Sequence, residues 1–139
     1  MIDFIESGLR TIKMEVEAVG LLSSRVDQQF SIACETILAC QGRVIVTGMG
    51  KSGHIGNKIA ATLASTGTPA FFVHPGEASH GDLGMITKTD VVIAISNSGN
   101  TNEIVTLLPL IARLGIPLIS MTGDKHSQLA KAAGTNLDV

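Results

Sequence analysis

Hydrophobic residues along the 139-residue chain recur first with a helical period and then in short apolar runs. Near the N-terminus their spacings alternate between four and three residues, which predicts a helix over about 2–20 with one apolar stripe. The stripe consists of Ile5, Leu9, Ile12, Val16 and Val19. A second helix is predicted over 28–40, ended by Gly42. Its predicted inward positions are Phe30, Ala33, Cys34, Ile37 and Leu38.

From residue 43 onward, short apolar strands alternate with helical segments. The strands are predicted at 43–47, 70–73, 90–95, 116–121 and 135–139, and the helices at about 53–66, 102–114 and 126–133, with a long loop at 74–88. This alternation predicts an α/β fold of three layers, a doubly wound parallel sheet covered by helices on both faces and preceded by N-terminal helices. Ligands of such sheets bind at the carboxyl ends of the strands. The last strand has no turn after it, so we expect the chain to be a piece of a longer protein.

Composition excludes several classes of function. The formal charge is −2, and the chain has no Trp or Tyr and only four Phe, whereas nucleic-acid binders need a basic face or stacking aromatic residues. No apolar run reaches the length that spans a membrane, and the N-terminus lacks the pattern of a signal peptide. Cys34 and Cys40 lie on different faces of one predicted helix, which favours two thiols without a disulfide.

Two loops rich in glycine and hydroxyl groups each follow an apolar strand and precede a helix. We call residues 48–53 (Gly-Met-Gly-Lys-Ser-Gly) the Gly48 loop and residues 96–101 (Ser-Asn-Ser-Gly-Asn-Thr) the Ser96 loop. A turn of this kind points backbone N–H groups and a helix N-terminus at one place, which suits a phosphate. The pair predicts a phosphorylated small molecule bound between them.

The Gly48 loop has two other interpretations, of which the first is disfavoured and the second is rejected. Its glycines satisfy G-x-G-x-x-G, but a dinucleotide site also needs an acidic residue at the end of the second strand, where this chain has Val73 and His74. A nucleotide phosphate loop needs glycine at the position of Ile45. A structural turn explains the glycines but not Lys51, which places a cation beside the predicted phosphate.

Three motifs together resemble the sugar isomerase (SIS) domain, and more narrowly the arabinose-5-phosphate isomerase family. They are the segments 48–54, 74–84 (His-Pro-Gly-Glu-Ala-Ser-His-Gly-Asp-Leu-Gly) and 95–99. The first and third occur in many SIS domains, and the second is much more specific. The resemblance implies a flavodoxin-like SIS fold over 42–139 after a helical segment at 1–41. It also implies that this chain stops before a further helix, an active-site histidine and the CBS modules of the family.

The resemblance implies a function as well. The family interconverts ribulose 5-phosphate and arabinose 5-phosphate through a cis-enediol, without a cofactor, as the entry step to the eight-carbon sugar acid of lipopolysaccharide. Its members are commonly cytoplasmic homotetramers. By resemblance, Glu103 is the base that moves the carbon-bound proton. The alternative is that this glutamate, in the first turn of a helix, only interacts favourably with the helix dipole. Lys51 is the electrophile or an anchor for the sugar, and His80 opens the ring or shuttles a proton.

The remaining candidates bind the phosphate. They are Gly50, Ser52, Gly53, Ser96, Asn97, Ser98 and Thr101. Helix capping is the competing role for Ser98 and Thr101, and the two roles are compatible. His74, Glu77, His80 and Asp82 match no standard spacing of metal ligands, so no metal is predicted.

Two other functions remain open from the sequence. A SIS domain can be a sugar-phosphate sensor in a transcription regulator, although no basic recognition helix precedes the first strand here and a sensor could lose Glu103. The chain could also isomerise another ketose phosphate, since the sequence does not fix the length of the sugar.

Overall fold

The computed structural model describes residues 3–78 and 82–139 and contains one parallel sheet of five strands. The strands are β1 (Val44–Gly48), β2 (Ala70–Phe72), β3 (Val91–Ile95), β4 (Leu118–Thr122) and β5 (Thr135–Asp138). Their order across the sheet is β2-β1-β3-β4-β5, and every neighbouring pair is parallel. The predicted doubly wound α/β fold is therefore confirmed.

Seven α-helices occur in the described residues. They are α1 (Phe4–Leu22), α2 (Gln28–Leu38), α3 (Gly50–Ser65), α4 (Pro75–Ala78), α5 (Asn102–Val105), α6 (Leu108–Leu114) and α7 (Gln128–Ala132), with a 3₁₀ helix at Asp82–Met85. None of the described helices is long and apolar enough to cross a membrane.

The sheet has a hydrophobic cluster on each face because successive side chains of a strand point to opposite sides. On β1, Ile45 packs into a cluster with residues of α5, α6 and α7, including Ile104, Ile111 and Leu129. Its neighbours Val44 and Val46 belong to the other cluster, which takes in Ala33 of α2 and Ala60 of α3. The helices and the sheet thus form three layers.

Several predicted boundaries differ from the structure. Helix α3 begins at Gly50 instead of about residue 53, so much of the Gly48 loop is the first turn of a helix. The helix predicted at 102–114 is divided into α5 and α6, and the long loop contains α4 and the 3₁₀ helix. The prediction that Phe30 and Leu38 face inward is wrong, since they are 47% and 82% exposed. Only Ala33 of α2 is fully buried, so the helix packs through a narrower face than predicted.

Helix α1 has no buried residue. Its apolar stripe faces solvent, with Ile5 77% and Leu9 63% exposed. The sequence predicts that this helix packs against another subunit or against chain beyond residue 139. Nothing in the described part of this chain covers the stripe, which leaves that prediction open.

The amino edge of the sheet is held by a buried carboxylate. Asp90 is 1% exposed and accepts hydrogen bonds from the backbone N–H groups of Arg43 and Thr87, both at 2.7 Å. The Arg43 guanidinium lies 3.9 Å from this carboxylate and stacks 4.7 Å from the ring centroid of Phe71. Burial by itself would raise the pKa of Asp90, but the hydrogen bonds from Thr87 and Arg43 and the charge of Arg43 outweigh it and lower the pKa.

Asp90→Asn is expected to destabilise the fold by about 1–3 kcal/mol, since an amide cannot accept at both oxygen positions. The pKa of Asp90 is lower in the folded than in the unfolded chain, so its contribution is present above the unfolded value of 3.8 and is lost as pH falls through the folded pKa. Urea unfolding between pH 6 and pH 3 measures this contribution. The variant should show a flatter decline of stability with acidification, and an unchanged decline would contradict the assignment.

Candidate active site

The two glycine-rich loops leave the sheet side by side. Strands β1 and β3 are neighbours at its centre, and Gly48 at the end of β1 pairs with Ile95 at the end of β3. In a sheet of this strand order, the connections run in opposite directions from β1 and β3, and the crevice between them is where ligands bind. The Gly48 loop and the Ser96 loop therefore flank the crevice at the carboxyl edge.

The Gly48 loop brings helix α3 unusually close to the sheet. A Cβ atom on Gly53 would lie 2.7 Å from the carbonyl oxygen of Gly48, and one on Gly56 would lie 3.2 Å from both Phe72 and Val46. Gly50 has a φ of 53°, a conformation that favours glycine. These glycines place the N-terminus of α3 directly at the end of β1.

The first turn of α3 has no cap of its own. Its N-cap residue Met49 makes no side-chain hydrogen bond to the helix. By contrast, the side chains of Asp3, Asp27 and Ser127 cap α1, α2 and α7. Within the described residues, the N–H groups of residues 50–52 have no hydrogen-bond partner. Three N–H groups at the positive end of a 16-residue helix can therefore bind an anion.

The Ser96 loop is folded around its first residue. Ser96 is 3% exposed, its Oγ lies 2.8 Å from Oγ1 of Thr101, and it accepts a hydrogen bond from the N–H of Gly99 at 3.1 Å. Gly99 has a φ of 61°, in the left-handed region. The side chains of Asn97 and Ser98 are exposed. Ser96 and Thr101 thus close the loop internally, while Asn97 and Ser98 face outward.

Helix α5 follows the Ser96 loop and is also without a side-chain cap. Thr101 is its N-cap residue but bonds to Ser96 instead of capping the helix. The Oγ of Ser98 accepts from the N–H of Asn100 at 3.3 Å and likewise does not cap α5. The geometry therefore gives the hydroxyls of Ser98 and Thr101 hydrogen bonds within the loop, and neither takes the competing capping role.

Two charged side chains near the crevice have no partner in the described ranges. Lys51 in the first turn of α3 and Glu103 in the first turn of α5 are both exposed. The ion pairs among the described residues are Lys13–Glu17 and Arg43–Asp90, and neither includes Lys51 or Glu103. The cationic Lys51 and the carboxylate of Glu103 thus lie in the first turns of two helices that follow neighbouring strands. They are available to a ligand.

The segment after β2 reaches the same edge. Helix α4 lies against α5, and His74 immediately precedes α4. Nδ1 of His74 accepts a hydrogen bond from the N–H of Gly76 at 3.2 Å. His80, the predicted ring-opening residue, lies outside the described residues. No group of three or more His, Cys, Asp or Glu side chains in the described ranges could hold a metal ion.

Known proteins resemble this chain in sequence and in fold. The SIS domain family matches residues 37–139. The chain belongs to the SIS domain family. A curated relative from Pseudomonas aeruginosa, named arabinose 5-phosphate isomerase KdsD, is 69% identical over 137 residues. That match covers 99% of this chain, and the chain spans 42% of the length of the relative.

Solved structures show the same SIS fold. A protein of Escherichia coli CFT073, solved in complex with arabinose 5-phosphate, superimposes with a TM-score of 0.86 and is 41% identical, with 99% of this chain and 74% of that chain covered. A putative sugar-phosphate isomerase of Listeria monocytogenes superimposes with a TM-score of 0.93 and is 31% identical. The match covers 97% of the present chain and 73% of the Listeria chain. The fold and the family are therefore established together.

Sequence reasoning missed the residues that tie the Ser96 loop to the segment before and at the start of α7. They are Asn100 within the loop and, outside it, Gly123 and Ser127. Ser127 could have been found from the sequence, because it lies at the start of a predicted helix, where serine is a preferred N-cap residue. The contacts between Asn100 and Gln128 and between Gly123 and Asn97 carried no such signal, because each joins residues more than 20 positions apart in the chain.

Proposed function

We propose that this SIS domain binds a pentose phosphate and interconverts ribulose 5-phosphate and arabinose 5-phosphate. The observation that carries the proposal is the crevice between β1 and β3, where an uncapped helix N-terminus, Lys51 and Glu103 come from neighbouring loops. The match to curated arabinose 5-phosphate isomerases and the relative solved with arabinose 5-phosphate support the choice of sugar.

In the proposed complex, the phosphate lies at the N-terminus of α3. The free N–H groups of residues 50–52 donate to its oxygens, which places Gly50 and Ser52 at the anion and gives Gly53 the role of close helix packing. Asn97 and Ser98 contribute from the exposed side of the other loop, and Ser96 and Thr101 keep that loop closed. The sugar carbons then extend along the crevice toward α5.

Isomerisation moves one proton between C1 and C2. The Glu103 carboxylate takes the proton from one carbon and returns it to the other, which leaves a cis-enediolate between the two steps, and the hydroxyl proton moves from the oxygen on C1 to the oxygen on C2 as the aldose forms. The positive charge of Lys51 stabilises the oxygen on which negative charge develops. The proton that closes or opens the sugar ring is assigned to His80, as the resemblance implies.

A chimeric enzyme tests the proposal. Since this chain matches 137 residues of the Pseudomonas aeruginosa relative, it can replace the matching segment of that protein. The chimera is expected to convert ribulose 5-phosphate to arabinose 5-phosphate, with lower kcat/KM for six- and seven-carbon ketose phosphates. A chimera that is folded and binds arabinose 5-phosphate without turning it over would instead support a sensor. Preference for a longer ketose would move the proposal to another isomerase of the family.

We also propose that the protein is a homo-oligomer, a tetramer in its complete form, and that α1 is part of the interface. The stripe of α1 follows a coiled-coil pattern in which Leu9 and Ile12 occupy core positions and Glu6 and Lys13 flank them. If two copies of α1 pair in antiparallel, with Leu9 of one opposite Ile12 of the other, Glu6 of each copy lies beside Lys13 of the other.

With this activity, we propose that the protein is located in the cytoplasm. We also propose that it catalyses the first step toward the eight-carbon sugar acid of lipopolysaccharide.

Ile12→Glu is expected to reduce the oligomer, because it places a charge in the apolar stripe. Met14→Glu is the matched control, since Met14 is equally exposed at 62% but lies on the opposite face of the same helix. Light scattering after gel filtration gives the mass of each variant. Glu6→Lys alone and Lys13→Glu alone should each lower the mass, because each places like charges beside one another. The double variant exchanges the two charges and should restore the mass. Equal masses for the Ile12 and Met14 variants would remove α1 from the interface.

A further inference from the structure

The Ser96 loop is tied to the next connection of the sheet, the turn between β4 and α7. The N–H of Gly123 donates to the carbonyl oxygen of Asn97 at 2.9 Å, and the N–H of Leu129 donates to the carbonyl oxygen of Gly99 at 3.0 Å. A third bond runs from the N–H of Gln128 to Oδ1 of Asn100 at 3.0 Å. The loop is therefore fixed at three places by one neighbouring segment.

Asn100 uses both ends of its amide. While Oδ1 accepts from Gln128, Nδ2 donates to the carbonyl oxygen of Ser98 at 3.0 Å. With the two bonds above, three consecutive carbonyl oxygens, those of Asn97, Ser98 and Gly99, each accept a hydrogen bond. A carbonyl oxygen repels a phosphate, so a loop whose three carbonyl oxygens are each bound by a donor of the protein presents fewer free acceptors to an anion.

Close packing makes this arrangement rigid. A Cβ atom on Gly99 would collide with the hydroxyl of Ser127, which is 2% exposed and caps α7 through a bond from Ala130 N–H at 3.2 Å. A Cβ atom on Gly123 would lie 2.9 Å from Oδ1 of Asn97. The loop and the turn therefore fit together without space for either to shift.

The turn is itself anchored in the core. Ser120 and Thr122 are fully buried, and their hydroxyls donate to Oδ1 of Asn136 on β5 at 2.7 and 2.9 Å. The Cγ2 methyl of Thr122 lies 3.3 Å from the position of a Cβ on Gly99. The loop thus rests on a polar network that joins β4 to β5.

We infer that Asn100 is a positioning residue for phosphate binding, which holds the Ser96 loop with its three carbonyl oxygens bound by donors of the protein. The inference rests on the proposed function for its ligand and goes beyond it by naming a residue that does not touch the substrate. Organising the loop before binding removes an ordering cost that would otherwise weaken affinity. Asn100 therefore acts through the loop that it fixes to α7.

The test compares Asn100→Ala with Asn57→Ala, a substitution of an exposed asparagine on α3 without a side-chain hydrogen bond in the described structure. Hydrogen exchange without ligand is measured first, by NMR. Asn100→Ala should speed exchange of the Gly99 amide at least tenfold, and Asn57→Ala should leave it unchanged. Unchanged exchange in Asn100→Ala would overturn the inference whatever the ligand is.

The second measurement is calorimetric affinity for arabinose 5-phosphate and for unphosphorylated arabinose, well below the melting temperature of each variant. Asn100→Ala should weaken binding of the phosphorylated sugar at least fivefold and leave any binding of arabinose within twofold. Asn100→Asp, which keeps the acceptor for Gln128 but loses the donor to Ser98, should also weaken binding of arabinose 5-phosphate. An affinity of Asn100→Ala for this ligand within twofold of the wild type would overturn the positioning role. Failure of the unsubstituted chain to bind arabinose 5-phosphate would count against the proposed function, and the exchange result would still decide whether Asn100 fixes the loop.

Discussion

Glu103→Gln is expected to abolish exchange of the substrate proton at C1 or C2 with solvent while leaving substrate binding largely intact. The amide keeps the shape of the side chain at the start of α5 but cannot take a proton. Glu103 is exposed and unpaired among the described residues, so its replacement should disturb no hydrogen bond or ion pair of the fold. General-base catalysis contributes about 10²–10⁴ in rate, and the loss of turnover should fall in that range or above.

Deuterium exchange followed by NMR in the chimeric enzyme measures this loss directly. Glu35→Gln on α2 is a matched control, since it makes the same change at an exposed position on another helix. A Glu103→Gln enzyme that exchanges at the unsubstituted rate would show that the base is another residue. His80 would then be the next candidate.

The order of elements was predictable because the three central strands, β1, β3 and β4, are short runs of mostly buried residues between turns. Residues 91–95 (Val-Val-Ile-Ala-Ile) are buried throughout, as both faces of a central parallel strand must be. The start of α3 was not predictable, because Gly50 is a poor helix former in isolation. Here the glycines of this segment permit the close approach of helix and strand, and that tertiary contact outweighs their low propensity.

The loops of the candidate site were predictable, but the different roles of the residues within each loop were not. Sequence spacing places Ser96, Ser98 and Thr101 equally as hydroxyl donors for a phosphate. Only the three-dimensional structure shows that Ser96 and Thr101 bond to each other and that Ser98 is exposed. The supports of the loop come from another turn of the chain, and no local pattern encodes such a contact.

Lys51→Ala is expected to weaken substrate binding and to lower turnover as well, which distinguishes it in kind from Glu103→Gln. Lys51 lies in the first turn of α3, where we propose that the phosphate binds, and has no ion-pair partner in the described ranges. A cation there attracts the phosphate in the ground state and also the enediolate oxygen in the transition state. Removing charge stabilisation of a developing oxyanion costs about 10²–10³ in kcat.

Lys58→Ala provides the control, because Lys58 is an exposed lysine two turns further along the same helix. Steady-state kinetics of the chimeric enzyme with ribulose 5-phosphate separates kcat from KM for both variants. Lys58→Ala should change neither constant by more than twofold. A Lys51→Ala enzyme with a raised KM and an unchanged kcat would make Lys51 an anchor for the sugar phosphate only, since an interaction equal in ground and transition states leaves kcat unaltered. A fall in kcat together with a raised KM assigns it both roles, and the stabilisation of the enediolate then comes from the same turn of α3 that holds the phosphate.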